Sequence, residues 1–231
     1  MSGQRTISCI TAMLASAIVG HAADGFNKSG AEYPVAGTGA GDQVHPAAAF
    51  DGSAGYIVWQ DNATDGNGLG ISARRLGKRF VGEFASFRVN QEGAGDQENP
   101  RISLLPAGGA AVVWQGGALG RQRIFARIIG RTGTFATGDL QISPASHANC
   151  DHPSIATLQD GSLVIVWSAF GPDGDMSGVF FQRISAKGEK SGEAQQVNET
   201  TSYNQRDAAI VPLSDGSFNV LWISEIGRAH V

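Results

Sequence analysis

Alternating oxygen-bearing side chains mark one polar loop in the second half of the chain. Asp173, Asp175 and Ser177 occupy every second position, and a glycine follows them. The opening half of a calcium loop has this form, because alternate side chains supply oxygen ligands to a hard cation and glycine permits a sharp turn. The closing half does not fit, since Phe181 and Ile184 stand at its ninth and twelfth positions. Calcium is one interpretation of the loop, and an ordinary Asp/Gly-rich turn is the other.

A weaker version of the same pattern lies about a hundred residues earlier in the chain. Asp61 and Asp65 are followed by glycine in a loop of similar composition. Carboxylates in loops of this kind are the preferred ligands of calcium, which is the one cofactor that the sequence suggests. The candidate metal ligands are therefore Asp61, Asp65, Asp173, Asp175 and Ser177.

Histidine and glutamine recur at equivalent positions in the polar segments Gly41–Pro46, Gly95–Pro100, Ala148–Pro153 and Tyr203–Ala208. His45 and His152 each precede a proline, but Asn99 and Asp207 stand at that position in the other two segments. Because a zinc site needs several converging ligands, this variation favours solvated loop residues over a metal centre. We expect these segments to form one ligand-binding face, with Gln43, His45, Gln97, His152 and Gln205 as its candidate residues.

Motifs for catalysis are weak. The chain has no Gly-x-Ser-x-Gly nucleophile motif. A glycosidase of the sialidase kind requires paired carboxylates and clustered arginines on one face. The arginines instead recur within one strand of a repeat, at Arg74, Arg75, Arg127 and Arg183. Their placement indicates packing against neighbouring carboxylates or carbonyls, so the sequence assigns no catalytic residue and leans against an enzyme.

The polar segments and loops belong to a repeat that four tryptophans mark. Trp59, Trp114, Trp167 and Trp222 are 55, 53 and 55 residues apart. Leu158–Trp167 shows the unit most clearly, with an apolar residue, an Asp-Gly turn and a β-branched run that ends in tryptophan. This pattern is typical of a two-stranded hairpin. Self-similarity at this period indicates a repeat architecture.

Two further strands follow each of the first three tryptophans. The third strand is predicted at residues 70–76, 124–129 and 179–184, and the fourth ends at Val89-Asn90, Ile142-Ser143 and Val197-Asn198. Four short antiparallel strands in a unit of ~54 residues are typical of a β-propeller blade. The sequence predicts an all-β, incomplete propeller with three full blades, part of a fourth, and an outer strand near residues 31–35 that precedes them. The tryptophans are expected to form the core between blades.

The repeat resembles a known group of proteins. The shared elements are Pro-x-x-Ala, Asp-Gly, Val-Val-Trp, Gly-Ile-x-Ala-x-Arg and Val-Asn-x. They are similar to the propeller-type repeats of large secreted or surface-attached bacterial proteins, of the calcium-binding or adhesin-like kind. The second unit departs from the pattern, with Ala107-Gly108 at its turn and Ile128 where Arg75 and Arg183 stand. The resemblance implies a fold and an extracellular location, and it carries no catalytic residue.

Both ends of the chain differ from the repeat. Residues 1–22 join an early arginine, an apolar run and small residues, which indicates a secretory signal peptide that is too short for a membrane span. The partial propeller is assigned to residues 23–224. Residues 225–231 break the repeat abruptly and are interpreted as a non-native tail after a truncated gene. Cys150 then remains as the only cysteine of the mature chain.

The charge balance narrows the choice of partners. A formal net charge of −4 favours neither nucleic acid nor an anionic membrane. We expect a secreted or cell-surface, non-catalytic binding or structural module of a larger protein. Its partners would be a glycan or an extracellular protein, together with the remainder of the parent chain. One alternative is a secreted propeller hydrolase of the glycosidase or sialidase kind, and a second is a structural spacer of an adhesin.

Overall fold

The computed structural model describes residues 5–7, 26–28, 31–32, 34–37, 39–78 and 84–225. Every regular element in this part of the chain is a β-strand. A short parallel pair joins β1 (Arg5–Ile7) to β2 (Phe26–Lys28). The described residues contain no helix of the length and hydropathy that crossing a membrane requires.

Three four-stranded sheets and one two-stranded sheet follow, each built from consecutive antiparallel strands. We call them blades 1 to 4. Blade 1 contains β3 (Gln43–Phe50), β4 (Gly55–Asp61), β5 (Gly70–Leu76) and β6 (Ser86–Arg88). Blade 2 contains β7 (Asp96–Leu104), β8 (Ala110–Gly117), β9 (Arg123–Ile129) and β10 (Leu140–Gln141). Blade 3 contains β11 (Ala148–Thr157), β12 (Leu163–Phe170), β13 (Ser177–Ile184) and β14 (Gln195–Gln196), and blade 4 contains β15 (Gln205–Pro212) and β16 (Phe218–Ser224). The predicted all-β, incomplete propeller is confirmed.

The Asp-Gly turns close the first hairpin of a blade by local hydrogen bonds. Asp160 Oδ1 accepts the backbone N–H of Ser162 at 3.0 Å and its hydroxyl at 2.6 Å. Gly161 has φ of 80°, a conformation that a residue with a Cβ adopts only at a cost. Asp51 and Asp215 hold serines two residues later in the same way. The recurrent Asp-Gly signal is therefore a property of the turn.

The blades pack face to face, and their apolar residues form a separate core between each adjacent pair. Trp114 lies in the core between blades 1 and 2, and Trp167 lies in the core between blades 2 and 3. Each stacks on a phenylalanine of the neighbouring strand, with ring centroids 6.1 Å apart for Phe125 and 6.4 Å apart for Phe180. The prediction that the tryptophans form inter-blade core is thus confirmed for these two residues.

Trp222 differs from the other three tryptophans. Its exposed fraction is 38%, against 4%, 1% and 0% for Trp59, Trp114 and Trp167. In blades 1 to 3 a third strand covers the tryptophan, whereas β16 pairs only with β15 in the described structure. Leu221 and Ile223 of the same strand are also exposed. Among the described residues, blade 4 therefore has an open edge at β16.

The segment that precedes blade 1 contacts blade 1 in the same way as the end of blade 1 contacts blade 2. Arg74 Nη1 donates to the carbonyl of Val35 at 2.7 Å, and Arg127 Nη1 donates in the same way to the carbonyl of Val89. Val35 is buried with Ile57, Trp59 and Leu76. The predicted equivalence of residues 31–35 with the end of β6 therefore fits these contacts.

The predicted terminal segments fall largely outside the described residues. Only Arg5–Ile7 of the predicted signal peptide is described, and the predicted tail is described only at Glu225. Glu225 accepts hydrogen bonds from Asn204 at 2.7 Å and from Arg206 at 2.9 Å. Cleavage after residue 22 and a non-native tail both stay predictions.

The tryptophans permit a direct test of the packing. Trp114→Ala removes a fully buried ring and should lower the free energy of unfolding by about 3–5 kcal/mol. Trp222→Ala removes a partly exposed ring and should cost distinctly less. Urea denaturation of the two variants measures the difference, and equal losses would contradict the assignment of Trp222 to an open edge.

Candidate functional site

The first strands of the blades lie side by side at the centre of the assembly. β3 contacts β7, β7 contacts β11, and β11 contacts β15. Each of these four inner strands loses its pairing register at the same point, between Val44/Ala47, Glu98/Arg101, Asp151/Ser154 and Arg206/Ala209. A β-bulge of this kind re-aims side chains and is common next to active sites.

One residue in every bulge adopts a left-handed backbone conformation. The φ angles are 51°, 52°, 48° and 56° for His45, Asn99, His152 and Asp207. Asn, Asp and His tolerate this region better than other residues with a Cβ, but it still carries strain. Strained residues of this kind cluster at functional sites. We call these four residues the bulge ring.

The preceding blade holds each of three bulges by one hydrogen bond. Gln60 Oε1 accepts the backbone N–H of Asn99 at 2.8 Å, and Gln115 Oε1 accepts that of His152 at 3.0 Å. Ser168 Oγ accepts the backbone N–H of Asp207 at 3.2 Å. All three acceptors follow a core tryptophan directly in sequence. The inter-blade core therefore positions the bulge ring.

His152 lies between two carboxylates. Its Nδ1 is 3.3 Å from Asp151 Oδ1 and 3.6 Å from Asp207 Oδ1. The hydrogen bond with Asp151 is the largest influence and raises the pKa of His152; partial burial opposes it, and the negative charges of Asp151 and Asp207 add to it. About half of the His152 side chain is exposed, so the group is accessible to a ligand.

The two carboxylates lie close together. Because Asp151 Oδ1 and Asp207 Oδ1 are 3.3 Å and 3.6 Å from the same nitrogen, the two oxygens are at most about 7 Å apart. The paired carboxylates of glycoside hydrolases are about 5–5.5 Å apart in retaining enzymes and about 6.5–9.5 Å apart in inverting ones. Asp151 and Asp207 lie on adjacent inner strands, where their side chains are about one-third exposed. This arrangement can deliver general acid–base catalysis to a substrate on the axis.

The glutamines of the predicted ligand face have a different role from the histidines. Gln97 and Gln205 are buried, and Gln43 is 8% exposed. Gln97 Oε1 accepts the indole N–H of Trp114 at 3.0 Å, while its Nε2 donates to the carbonyls of Ala94 and Gly95. These bonds leave the amide little capacity for a ligand. Of the five predicted residues, the bulge ring contains His45 and His152.

Blade 3 replaces this glutamine with a cysteine. Cys150 is fully buried, and the indole nitrogen of Trp167 has no hydrogen-bond partner. Ala169 stands where blade 2 has Gly116, and a Cβ added to Gly116 would lie 2.1 Å from Gln97 Oε1. A Cβ at this position therefore excludes the placement that the Gln97 amide adopts, although Gln43 and Gln205 are buried opposite Asp61 and Ser224. Burial raises the pKa of the Cys150 thiol to about 11, so it remains protonated at neutral pH.

The candidate calcium ligands serve the loops themselves. Asp61 Oδ1 accepts the backbone N–H groups of Ala63 and Thr64, and its Oδ2 accepts the hydroxyl of Ser72 at 2.6 Å. Asp65 Oδ2 accepts the amide of Asn90 at 3.2 Å.

The later loop repeats this arrangement. Asp173 Oδ2 accepts the amide of Asn198 at 3.1 Å, and Asp175 Oδ2 accepts the backbone N–H of Tyr203 at 2.8 Å. Ser177 lies at the start of β13. Within the described ranges no group of three or more His, Cys, Asp or Glu residues is suited to a metal ion. Calcium binding at these residues stays a prediction.

Sequence reasoning missed the carboxylate pair. The repeat pattern shows Asp207 only as a residue at a position where other repeats have histidine or asparagine, and it does not distinguish Asp151. One sequence feature does point to the pair: Asp151 directly precedes His152, and Asp207 occupies the position of His152 in the next repeat. The bulge that turns these neighbours toward one another is not visible in the strand pattern.

Comparisons with known proteins identify structural relatives but no sequence family. No family model matches the chain, and no curated protein gives a significant match. An endo-arabinase from Bacteroides thetaiotaomicron matches with a TM-score of 0.51 and 14% identity, over 81% of this chain and 73% of that one. An α-L-arabinofuranosidase from Lactobacillus brevis has a TM-score of 0.49 and 10% identity over 77% of this chain and 63% of its own.

A third match is an α-L-arabinanase from Cellvibrio cellulosa in complex with arabinohexaose. Its TM-score is 0.45 at 13% identity, over 78% of this chain and 68% of that one. The endo-arabinase likeness supports a propeller fold and does not support the adhesin or calcium-binding repeat type. The expectation of a non-catalytic module is wrong, because this matching structure is named as an endo-arabinase, which is a hydrolase, and it favours the alternative of a propeller hydrolase.

The pKa values of His147 and His152 should be shifted in opposite directions. Burial lowers the pKa of His147, with help from the charge of Arg123, whereas Asp151 raises the pKa of His152. A raised histidine pKa contributes stability that is present below the unfolded value of about 6.5 and is lost as pH rises through the folded pKa. A lowered pKa instead destabilises the protein as pH falls below about 6.5. NMR titration should therefore show His152 above and His147 below this value.

Asp151→Asn provides the control for this titration. It should bring the pKa of His152 down and leave that of His147 nearly unchanged, because only His152 contacts the carboxylate. Unchanged titration of His152 in this variant would contradict the contact.

Blade 3 also permits a double-mutant cycle. Cys150→Gln alone should not gain the hydrogen bond to the Trp167 indole, because the Ala169 methyl group occupies the place that the Gln97 amide oxygen takes in blade 2. Cys150→Gln with Ala169→Gly should let the amide accept the Trp167 indole N–H, with a favourable coupling of about 0.5–3 kcal/mol. Thermal unfolding of both singles and the double measures it, and strictly additive effects would show that the two positions are independent.

Proposed function

We propose that this protein is a propeller glycoside hydrolase that cleaves glycosidic bonds in a polysaccharide. The observation that carries the proposal is the pair Asp151 and Asp207, which flank His152 on adjacent inner strands. Hydrolysis of a glycosidic bond requires one group that protonates the leaving oxygen and one carboxylate that activates water or attacks the sugar. The pair supplies two carboxyl groups that lie close together and are partly exposed.

The fold supports the same conclusion. The endo-arabinase likeness supports a propeller fold, and the name of that enzyme suggests arabinan as the first substrate to test. The chemistry itself is argued from the two aspartates, because a likeness at 14% identity carries only the fold. A glycan is therefore the partner that we propose.

His152 has a supporting role between the carboxylates. Near or below its raised pKa it is positively charged and faces both Asp151 and Asp207. A positive charge at this distance attracts both carboxylates and helps to orient them. Deprotonation of His152 removes this attraction, so the activity should decline as pH rises through the pKa of His152.

Location outside the cell fits a polysaccharide substrate. Residues 1–22 carry the features of a signal peptide, and we propose that the mature enzyme is secreted or displayed at the cell surface. Mass determination of the secreted protein would test cleavage after residue 22.

The catalytic assignment is tested by isosteric variants. Asp151→Asn and Asp207→Asn should each lower kcat on linear arabinan by about 10²–10⁴-fold, the usual contribution of a general acid or base. Release of reducing sugar is the measurement, with a xylan as second substrate. Asp215→Asn, in the exposed turn that follows β15 at the end away from Asp207, is the matched control and should retain activity.

The two roles can then be separated with small nucleophiles and activated substrates. Azide should restore turnover when the missing carboxylate acted as base or nucleophile, whereas an aryl glycoside with a good leaving group should be cleaved normally when the missing group was the acid. Folded Asp151→Asn and Asp207→Asn proteins with the turnover of the unmodified chain would overturn the proposal. Absence of hydrolysis by the unmodified chain on every arabinan and xylan tested would also overturn it.

A further inference from the structure

Three hydrogen-bonded side chains of blade 2 contact the start of β11, the strand that carries Asp151. Glu98 Oε2 accepts the Gln122 amide at 2.6 Å and the Gln115 amide at 3.4 Å. The same Gln115 amide also donates to Gln122 Oε1 at 3.4 Å. Both glutamines are buried, and Glu98 is partly buried. We call Glu98, Gln115 and Gln122 the amide clamp.

The clamp holds β11 at two points that lie on either side of Asp151. The backbone carbonyl of Gln122 accepts the backbone N–H of Cys150 at 2.9 Å. Gln115 Oε1 accepts the backbone N–H of His152 at 3.0 Å. The conformation of the backbone at Asp151 and His152 therefore depends on both glutamines.

The direction of each amide in the clamp follows from its partners. The backbone N–H of His152 can only donate, so the oxygen of the Gln115 amide faces it and the NH2 group faces away. That NH2 group lies against Glu98 Oε2 and Gln122 Oε1. An ionised carboxylate only accepts hydrogen bonds, and bonds to a charged acceptor are about twice as strong as neutral ones. Glu98 therefore opposes rotation of both amides.

Blade 1 has an apolar residue at the position of Glu98. Val44 stands opposite Gln60 in the pairing of β3 with β4, and Glu98 stands opposite Gln115 in the pairing of β7 with β8. Gln60 and Gln115 are the acceptors that hold the bulge residues of the following blades. Of these two acceptors, Glu98 thus supports the one that holds His152.

We propose that Glu98 is a positioning residue for the carboxylate pair, because it keeps the oxygen of the Gln115 amide directed at His152. Without Glu98 both amides of the clamp can rotate, and an NH2 group turned toward the His152 N–H would place two donors face to face. The bulge then loses the acceptor that holds its strained conformation, and His152 moves away from Asp151. The effect on catalysis rests on the proposed function, whereas the effect on the orientation of His152 does not.

Two substitutions at Glu98 separate hydrogen-bond acceptance from charge. Glu98→Gln removes the charge but can place its amide oxygen where Oε2 lies, whereas Glu98→Met removes the acceptor as well at a similar length. NMR titration should give a pKa of His152 near that of the unmodified chain in Glu98→Gln, and a pKa shifted down toward about 6.5 in Glu98→Met. Hydrogen exchange at the His152 amide should be about tenfold faster in Glu98→Met and nearly unchanged in Glu98→Gln.

Further variants test whether the effect passes through Gln115. In a Gln115→Met background, Glu98→Met should cause no additional change in the pKa of His152, because the amide that transmits the effect is missing. Asp139→Ala removes a buried carboxylate beside β10, at the outer side of the same blade. It should lower the melting temperature and leave the pKa of His152 unchanged. If Glu98→Met does not fold, Glu98→Ala adds no bulk and takes its place, with the same downward shift expected.

Activity is the second readout. On linear arabinan, Glu98→Met should lower kcat by about 10–10²-fold with little change in KM, since small displacements near reacting groups have effects of this size. Glu98→Gln should retain most of the turnover. Unchanged titration of His152 or unchanged kcat in folded Glu98→Met would overturn the proposal. Equal impairment of Glu98→Gln and Glu98→Met would overturn it as well, because the charge of Glu98 would then be what matters. If the unmodified chain hydrolyses no glycan, the proposed hydrolase activity fails, and the titration still decides the role of Glu98.

Discussion

One recurring hydrogen bond between neighbouring blades links the packing of the core to the backbone of the inner strands. The residue that follows a core tryptophan accepts the backbone N–H of the next blade's bulge residue, as Gln115 does for His152. Burial of the tryptophan fixes the acceptor, and the acceptor satisfies an N–H that the bulge removes from strand pairing. Core packing and the conformation of the inner strands are thereby coupled.

The same coupling explains how a strained backbone persists in four inner strands. A left-handed conformation at a residue with a Cβ is retained only where its surroundings over-determine it. Gln115 does more than hold His152, since its Oε1 also accepts the Asn99 amide at 3.0 Å. It therefore joins two members of the bulge ring through a single buried side chain.

Blade 3 shows how the repeat tolerates change. Cys150 stands where the other blades have glutamine, Ala169 stands where blade 2 has glycine, and His147 packs against Phe180 with ring centroids 4.4 Å apart. All four side chains are buried. The indole nitrogen of Trp167 remains without a partner, which carries a desolvation cost of about 1–3 kcal/mol. Blade 3 therefore keeps a packed core but lacks the hydrogen bond to the tryptophan indole that blade 2 has.

The bulges bring the side chains of the candidate site into contact with one another. Asp151 and His152 are adjacent in sequence, and in a regular strand they would point to opposite faces. The register shift between Asp151 and Ser154 brings them within 3.3 Å of one another. Asp207, from the next inner strand, completes the cluster at 3.6 Å.

The sequence alone determined the repeat and hence the fold. Trp59, Trp114 and Trp167 at near-constant spacing, with Asp-Gly turns and β-branched runs, specify short strands and inter-blade burial through local propensity and periodicity. Only tertiary structure decided which groups the candidate residues contact. Gln97, a predicted ligand residue, is buried and accepts the Trp114 indole N–H, while Asp65 and Asp173, two candidate metal ligands, accept hydrogen bonds from Asn90 and Asn198. A side chain's role depends on which groups from other blades reach it, and strand periodicity carries no information about bulges or contacts between blades.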